Sequence, residues 1–218
     1  MRYAGVFFDL DGTLLDTAPD LASALNAARA EEHLTPLPFA QIRPHVSNGA
    51  RALVLLGFPG DEHHPRYETR RQRLLAHYRE NICQQTQLFA GMDSVLRSIE
   101  ESASPWGVVT NKPAWLTEPL LQACGLSSRV ACIVSGDTIA QRKPLPAPLL
   151  HAATMAGVQP DRCVYIGDAR RDAEAAHAAG MSMLAAAYGY IEPGDDPWSW
   201  GAEAVVAQPT DILTHLQK

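Results

Sequence analysis

Short, nearly unbroken apolar runs recur along this chain, and stretches with the three-and-four spacing of a helix face separate most of them. The runs cover residues 4–8, 106–110, 131–135, 163–167 and 181–186, with a weaker one at 204–206. A strand that faces water on one side alternates apolar and polar residues, whereas a strand covered on both faces does not. Between the runs lie Met92, Val95, Leu96 and Ile99, then Leu116, Leu120, Leu121 and Cys124. Further on come Leu149, Leu150, Ala153 and Ala156, and then Ala173, Ala176 and Ala179. Buried strands alternating with amphipathic helices predict an α/β fold with a doubly wound, Rossmann-like parallel sheet.

One region breaks the alternation. From about residue 16 to residue 83 there is helical patterning and no convincing strand. Leu21, Leu25 and Ala28 make one face, and Tyr67, Leu74, Leu75, Tyr78 and Ile82 another; Pro36, Pro38, Pro44 and Pro59 punctuate the segment. The division expected is an α/β core formed by residues 1–15 and 86–218, with a helical cap over residues 16–85. An insert directly after the first strand sits over the strand's C-terminal end, where open α/β sheets bind ligands, so it is placed to act as a lid. Within it, Arg70, Arg71 and Arg73 read as a solvated helix face and His63-His64 as a surface turn.

Composition narrows the partners. An apolar fraction of 46% supports a buried core, and a net charge of −6 disfavours nucleic acid and anionic membranes as partners. No apolar stretch reaches the length of a membrane span. The run after Met1-Arg2 is interrupted by Asp9 and Asp11 too soon for a secretory signal, so the expected location is the cytoplasm. Cys83, Cys124, Cys132 and Cys163 form no C-x-x-C pair and read as reduced, mostly buried thiols.

Four local patterns carry chemistry. Asp9-Leu10-Asp11-Gly12-Thr13-Leu14 places two carboxylates at the end of an apolar strand. Like charges so close raise each other's pKa unless a cation offsets them, and a hard divalent ion with oxygen ligands, magnesium beside phosphates, is the natural partner. Thr110, followed by Asn111 and Lys112, offers a hydroxyl at a second strand end, suited to a phosphoryl oxygen. Lys143, in Arg142-Lys143-Pro144, supplies a compact positive charge. Asp168 ends the strand at 163–167 as Asp9 ends the first, and Asp172 follows about one helical turn later. Each pattern alone has an ordinary structural explanation, a turn initiator, a surface lysine or a helix cap. Their ordered combination, with acidic residues ending two separate strands, does not.

These four elements, in this order and spacing, resemble the haloacid dehalogenase superfamily over nearly the whole chain. The runs Gly136-Asp137-Thr138 and Pro146-Ala147-Pro148-Leu149-Leu150-His151-Ala152 are similar to its phosphoglycolate phosphatase-like members in particular. The resemblance implies that Asp9 is a nucleophile forming an aspartyl-phosphate and that Asp11 is the general acid and base. It implies that Asp9 and Asp168 ligate Mg2+ through side chains and Asp11 through its carbonyl. Thr110, Asn111 and Lys143 would hold the phosphoryl group, and Asp172 would orient Lys143 or the metal's waters. Ala169 and Leu145 depart from that pattern, where polar or acidic residues are common.

The substrate implied is a small phosphate ester, hydrolysed by a monomer or homodimer. General resemblance points to 2-phosphoglycolate. The stretch from Tyr188 through Asp195-Asp196-Pro197 to Trp200 instead resembles phosphatases of N-acetylmuramic acid 6-phosphate. Arg51 and Lys112 are candidates to meet substrate or cap, Arg51 by a bidentate grip on a carboxylate. Asp11 argues against a dehalogenase, Thr13 against a phosphosugar mutase, and the full acidic set against a non-catalytic scaffold.

Overall fold

All six expected strands are present and form one parallel sheet. The structure is a computed structural model that describes residues 1–217; Lys218, the last residue assigned to the core, lies outside them. In chain order the elements are β1 (Gly5–Phe8), β2 (Leu15–Asp16), α1 (Ala18–Ala30), α2 (Phe39–Ile42), α3 (Gly49–Gly57) and α4 (Tyr67–Glu80). Then come β3 (Gln87–Leu88), α5 (Met92–Glu101), β4 (Trp106–Val109), α6 (Ala114–Ala123), β5 (Cys132–Val134) and α7 (Ala147–Ala156). The chain continues through β6 (Cys163–Gly167), α8 (Arg170–Ala178), β7 (Ser182–Ala186), β8 (Ala204–Val206) and α9 (Ile212–Leu216).

The sheet order is β5-β4-β1-β6-β7-β8, and every pairing within it is parallel. Successive side chains of each strand go to opposite faces, and both faces are covered. Val6, Phe8, Val108, Val164 and Ile166 pack under α5, α6 and α9. Phe7, Val109, Val134 and Tyr165 pack under α7 and α8. This two-sided burial is why the runs are continuously apolar. It also puts β1 in the middle, with β4 on one side and β6 on the other. The strand order therefore reverses around β1, and the crevice at such a reversal is where ligands bind.

Helices α1, α3 and α4 form a third apolar cluster around Leu25, Leu53, Leu74 and Tyr78, which Leu116 and Tyr190 of the sheet region join. The chain enters and leaves this helical segment through a two-residue antiparallel ribbon, Leu15 opposite Leu88 and Asp16 opposite Gln87. Strands that short have no period to read. The ribbon is secured by buried Asp20, whose carboxylate accepts from the backbone amides of Gln84, Gln85 and Thr86 at 2.9–3.1 Å.

One local expectation changes. Arg70 is not solvated: it is 4% exposed, pairs with Glu32 through two hydrogen bonds of 2.9 and 2.7 Å, and lies 4.9 Å over the Phe58 ring. Helical periodicity alone does not distinguish an arginine facing water from one facing a partner helix. All four cysteines are free thiols, and Cys83 and Cys124, distant in sequence, are half-buried with sulfurs 3.3 Å apart. Among the described residues no helix is long and apolar enough to cross a membrane.

Candidate active site

The C-terminal ends of β1, β4 and β6 deliver Asp9, Thr110 and Asp168 to one crevice. Asp9 follows β1 directly, and its amide donates to Ile166 O of β6 at 2.8 Å, which locks it beside the end of that strand. The Asp9, Asp168 and Asp172 carboxylates are buried and offer oxygens that all lie within 4.8 Å of one another. Burial, together with the charges of Asp9 and Asp172, pushes Asp168 up to about 7. Three buried carboxylates with an all-oxygen donor set fit a hard divalent cation, which would relieve that repulsion.

One cation is already built in. Lys143, 3% exposed, places Nζ 2.7 Å from Asp172 Oδ1 and 2.9 Å from Asp9 Oδ1. It donates also to the Tyr165 hydroxyl at 2.6 Å, which in turn donates to Val109 O at 2.7 Å. Burial pulls its ammonium pKa down, but the Asp172 and Asp9 charges more than offset this, so the net shift is upward and Lys143 stays charged. The Lys143 backbone is clamped by Asn111, whose side-chain amide donates to Lys143 O at 2.9 Å and accepts from Lys143 N at 3.1 Å. Asp172 is fixed from its other side by the Ala169 amide at 3.0 Å. A backbone donor thus satisfies it, and no polar side chain at position 169 is needed for that bond.

Asp11 has its own set of partners. Its Oδ1 accepts from Thr17 Oγ1 at 2.6 Å and from Lys112 Nζ at 2.8 Å. Lys112 also donates to the hydroxyl of Tyr78, from α4, at 3.1 Å. The Thr110 hydroxyl accepts from Lys112 N at 3.2 Å, which leaves its own proton for another oxygen. Between Asp9 and Asp11 on one side and Thr13 on the other the backbone turns at Gly12 with φ +84°, where a Cβ would lie 2.0 Å from Asp168 Oδ2. Gly12→Ala is therefore expected to cost about 1–3 kcal/mol of stability through the strained conformation. It should also displace the Asp168 carboxylate, and a thermal melt alongside turnover measurements would separate the two effects.

The helical segment reaches the same residues. Ser47 Oγ donates to Asp168 Oδ2 at 2.7 Å. Arg171 donates to Asn48 Oδ1 at 2.7 Å and to Ser47 O at 2.6 Å. Arg43 donates to the carbonyls of Gly189 and Tyr188 at 3.0 and 3.1 Å. These contacts enclose a cavity of about 500 Å³ that runs from Asp9 and Asp11 outward between α3, α4 and α6. Arg51 stands at its rim with its guanidinium on exposed Glu62 at 2.8 Å. Leu145 is exposed on the surface.

The structure thus brings together Asp9, Asp11, Thr110, Asn111, Lys112, Lys143, Asp168 and Asp172, and leaves Arg51 at the periphery. Sequence reasoning missed Tyr165, Tyr78 and Arg171. Tyr165 had one visible signal, a hydroxyl in the middle of an otherwise apolar strand. Tyr78 lies on an apolar face of α4, where the spacing gives its hydroxyl no signal of its own.

A parallel sheet with acidic strand ends and a buried lysine defines a hydrolase-like site, and the comparisons agree. Residues 6–186 match the family described as haloacid dehalogenase-like hydrolase. The chain belongs to that family. It is 44% identical over 213 residues to a phosphoglycolate phosphatase of Xanthomonas campestris pv. campestris, covering 97% of this chain and 96% of that one. It is 40% identical over 218 residues to the N-acetylmuramic acid 6-phosphate phosphatase of Pseudomonas aeruginosa, covering 100% of this chain and 96% of that one. The crystal structure of a predicted phosphoglycolate phosphatase from Haemophilus somnus superposes with a TM-score of 0.88 at 25% identity, covering 100% and 99% of the two chains.

Proposed function

We propose that this chain is a magnesium-dependent phosphomonoester hydrolase, with 2-phosphoglycolate as the first candidate substrate. The observation that carries this is the buried lysine held between Asp9 and Asp172, next to Asp168, at the sheet's switch point. Both contacts to the Asp9 side chain, from Lys143 and from the Leu10 amide, fall on Oδ1, so Oδ2 is left to attack phosphorus. The new Oδ2–P bond replaces the ester P–O bond, and Asp11 gives its proton to the departing alcohol. Asp11 then takes a proton from water, which attacks the aspartyl-phosphate and releases inorganic phosphate and free Asp9. Thr110 and Lys143 hold the phosphoryl oxygens as negative charge builds on them. Asn111 acts one step back, by fixing the Lys143 loop.

Asp9, Asp168 and the Asp11 carbonyl would hold Mg2+, which when bound supplies charge stabilisation for the transferring group. Asp172 positions Lys143. We assign residues 1–15 and 86–218 to the core and residues 16–85 to the cap, from which Ser47 donates to Asp168 and Thr17 to Asp11, while Tyr78 reaches Asp11 only through Lys112.

A second substrate has an observation of its own. A cavity of about 500 Å³ falls in the range of roughly 300–1,000 Å³ that holds drug-sized ligands. That is generous for a two-carbon ester and suits N-acetylmuramic acid 6-phosphate. Phosphate release from both esters, before and after chelation of divalent metal, tests the proposal. Turnover is expected to fall at least about 100-fold on chelation, the scale of a lost transition-state charge partner, and to return with Mg2+. Metal-independent turnover would remove magnesium from the assignment, and no turnover of either ester would overturn the function.

A further inference from the structure

The cavity has an outer half that the phosphoryl chemistry does not use. Five cationic residues line the cavity against two acidic ones, in a chain whose net charge is −6. Asp11 already has the Lys112 ammonium beside it, and Asp9 has that of Lys143. The arginines are therefore in surplus over what a phosphate group and the catalytic carboxylates require. Arg51 and Arg71 have only glutamate partners near the surface, Glu62 and Glu68, and such exposed pairs exchange at little cost. Arg142 makes no ion pair among the described residues. Beside these cations the lining turns apolar, with Leu75 from α4 and Trp115 and Leu116 from α6.

Trp115 is the unusual member of the set. It leaves 41% of its surface exposed on the first turn of α6, with Arg79 5.5 Å over its ring. A large aromatic at a cavity mouth offers a flat apolar face with little entropy to lose when a ligand covers it.

We infer that Trp115, Leu75 and Leu116 form a subsite for the non-reacting part of the substrate, a pyranose-sized ring, and that Arg51, Arg71 and Arg142 attract a second anionic group carried on it. This rests on the phosphatase assignment and decides between its two candidate substrates: the outer half of the cavity favours an acidic sugar phosphate over the two-carbon ester named first. The ring would lie against the indole while its phosphate reaches Asp9 at the inner end.

The test uses three probes on the full chain with Mg2+: N-acetylmuramic acid 6-phosphate, N-acetylglucosamine 6-phosphate, which lacks the carboxylate, and 2-phosphoglycolate, which lacks the ring. For Trp115→Ala, the ratio of kcat/KM for N-acetylmuramic acid 6-phosphate over 2-phosphoglycolate should fall about tenfold, mainly through KM, the scale of one aromatic contact. With the three rim arginines changed to glutamine together, the preference for the muramic over the glucosamine ester should shrink toward unity. A ratio cancels any general loss of folded enzyme. Ratios that stay put in both variants overturn the subsite while leaving the phosphatase intact, as does wild-type turnover confined to 2-phosphoglycolate. In an Asp9→Asn background, calorimetric titration with N-acetylmuramic acid 6-phosphate should show the same weakening by Trp115→Ala without any chemistry. If that background still hydrolyses ester, the catalytic assignment fails, and the binding comparison still decides the subsite.

Discussion

Asp9→Asn is expected to lower phosphate release from every ester by more than about 10⁴-fold, the scale seen when a nucleophile that works as part of a unit is removed. The substitution hardly changes side-chain volume, and an amide oxygen at the Oδ1 position can still accept from Leu10 N and Lys143 Nζ, the contacts present now. What it removes is the anionic oxygen we propose as the nucleophile toward phosphorus. The loss should therefore fall on kcat, with the melting temperature close to wild type. A variant with activity within tenfold of wild type would show that the phosphoryl group never passes through Asp9, and the two-step scheme would have to be given up.

Lys143→Met is expected to damage both activity and stability. Methionine fills the volume but leaves Asp9 and Asp172 without the ammonium that now lies 2.9 and 2.7 Å from them. Removing one partner of a buried ion pair costs about 3–5 kcal/mol, because the remaining charge stays desolvated. Loss of a donor aimed at developing phosphoryl charge should lower kcat by about 10²–10³-fold besides. Denaturant titration checks the first effect and steady-state kinetics the second. Adding Asp172→Asn to Lys143→Met should restore part of the stability but not the activity, since it removes an uncompensated carboxylate without replacing the donor. Failure of that rescue would mean that Lys143 contributes through packing rather than charge.

Much of this molecule is legible in one dimension because its signals are local. Continuous apolar runs mark strands covered on both faces, and a covered parallel sheet delivers the residue after each strand to one edge. Asp9, Thr110 and Asp168 could be assigned to a common crevice for that reason alone. Asp172 followed from its place about one helical turn after Asp168, whereas Lys143 joined them only through the family pattern, since no periodicity brings a loop lysine to a strand end.

Other features are decided where distant segments meet. Tyr165 belongs to a buried strand, and its hydroxyl matters only because the Lys143 loop comes down onto it. Arg70 and Arg71 are neighbours in α4, yet one is buried against Glu32 and the other rims the cavity, because α1 packs on only one side of that helix. Tyr78 meets Lys112 across 34 positions, and Ser47 meets Asp168 across 121. Backbone periodicity reports which face of an element is apolar, whereas the partner that a polar side chain finds there depends on the packing of the whole chain. The amino-acid sequence by itself determined the sheet, the position of the helical insert and the acids at the strand ends. Tertiary packing alone decided which cations neutralise those acids and how large a space the insert closes over them.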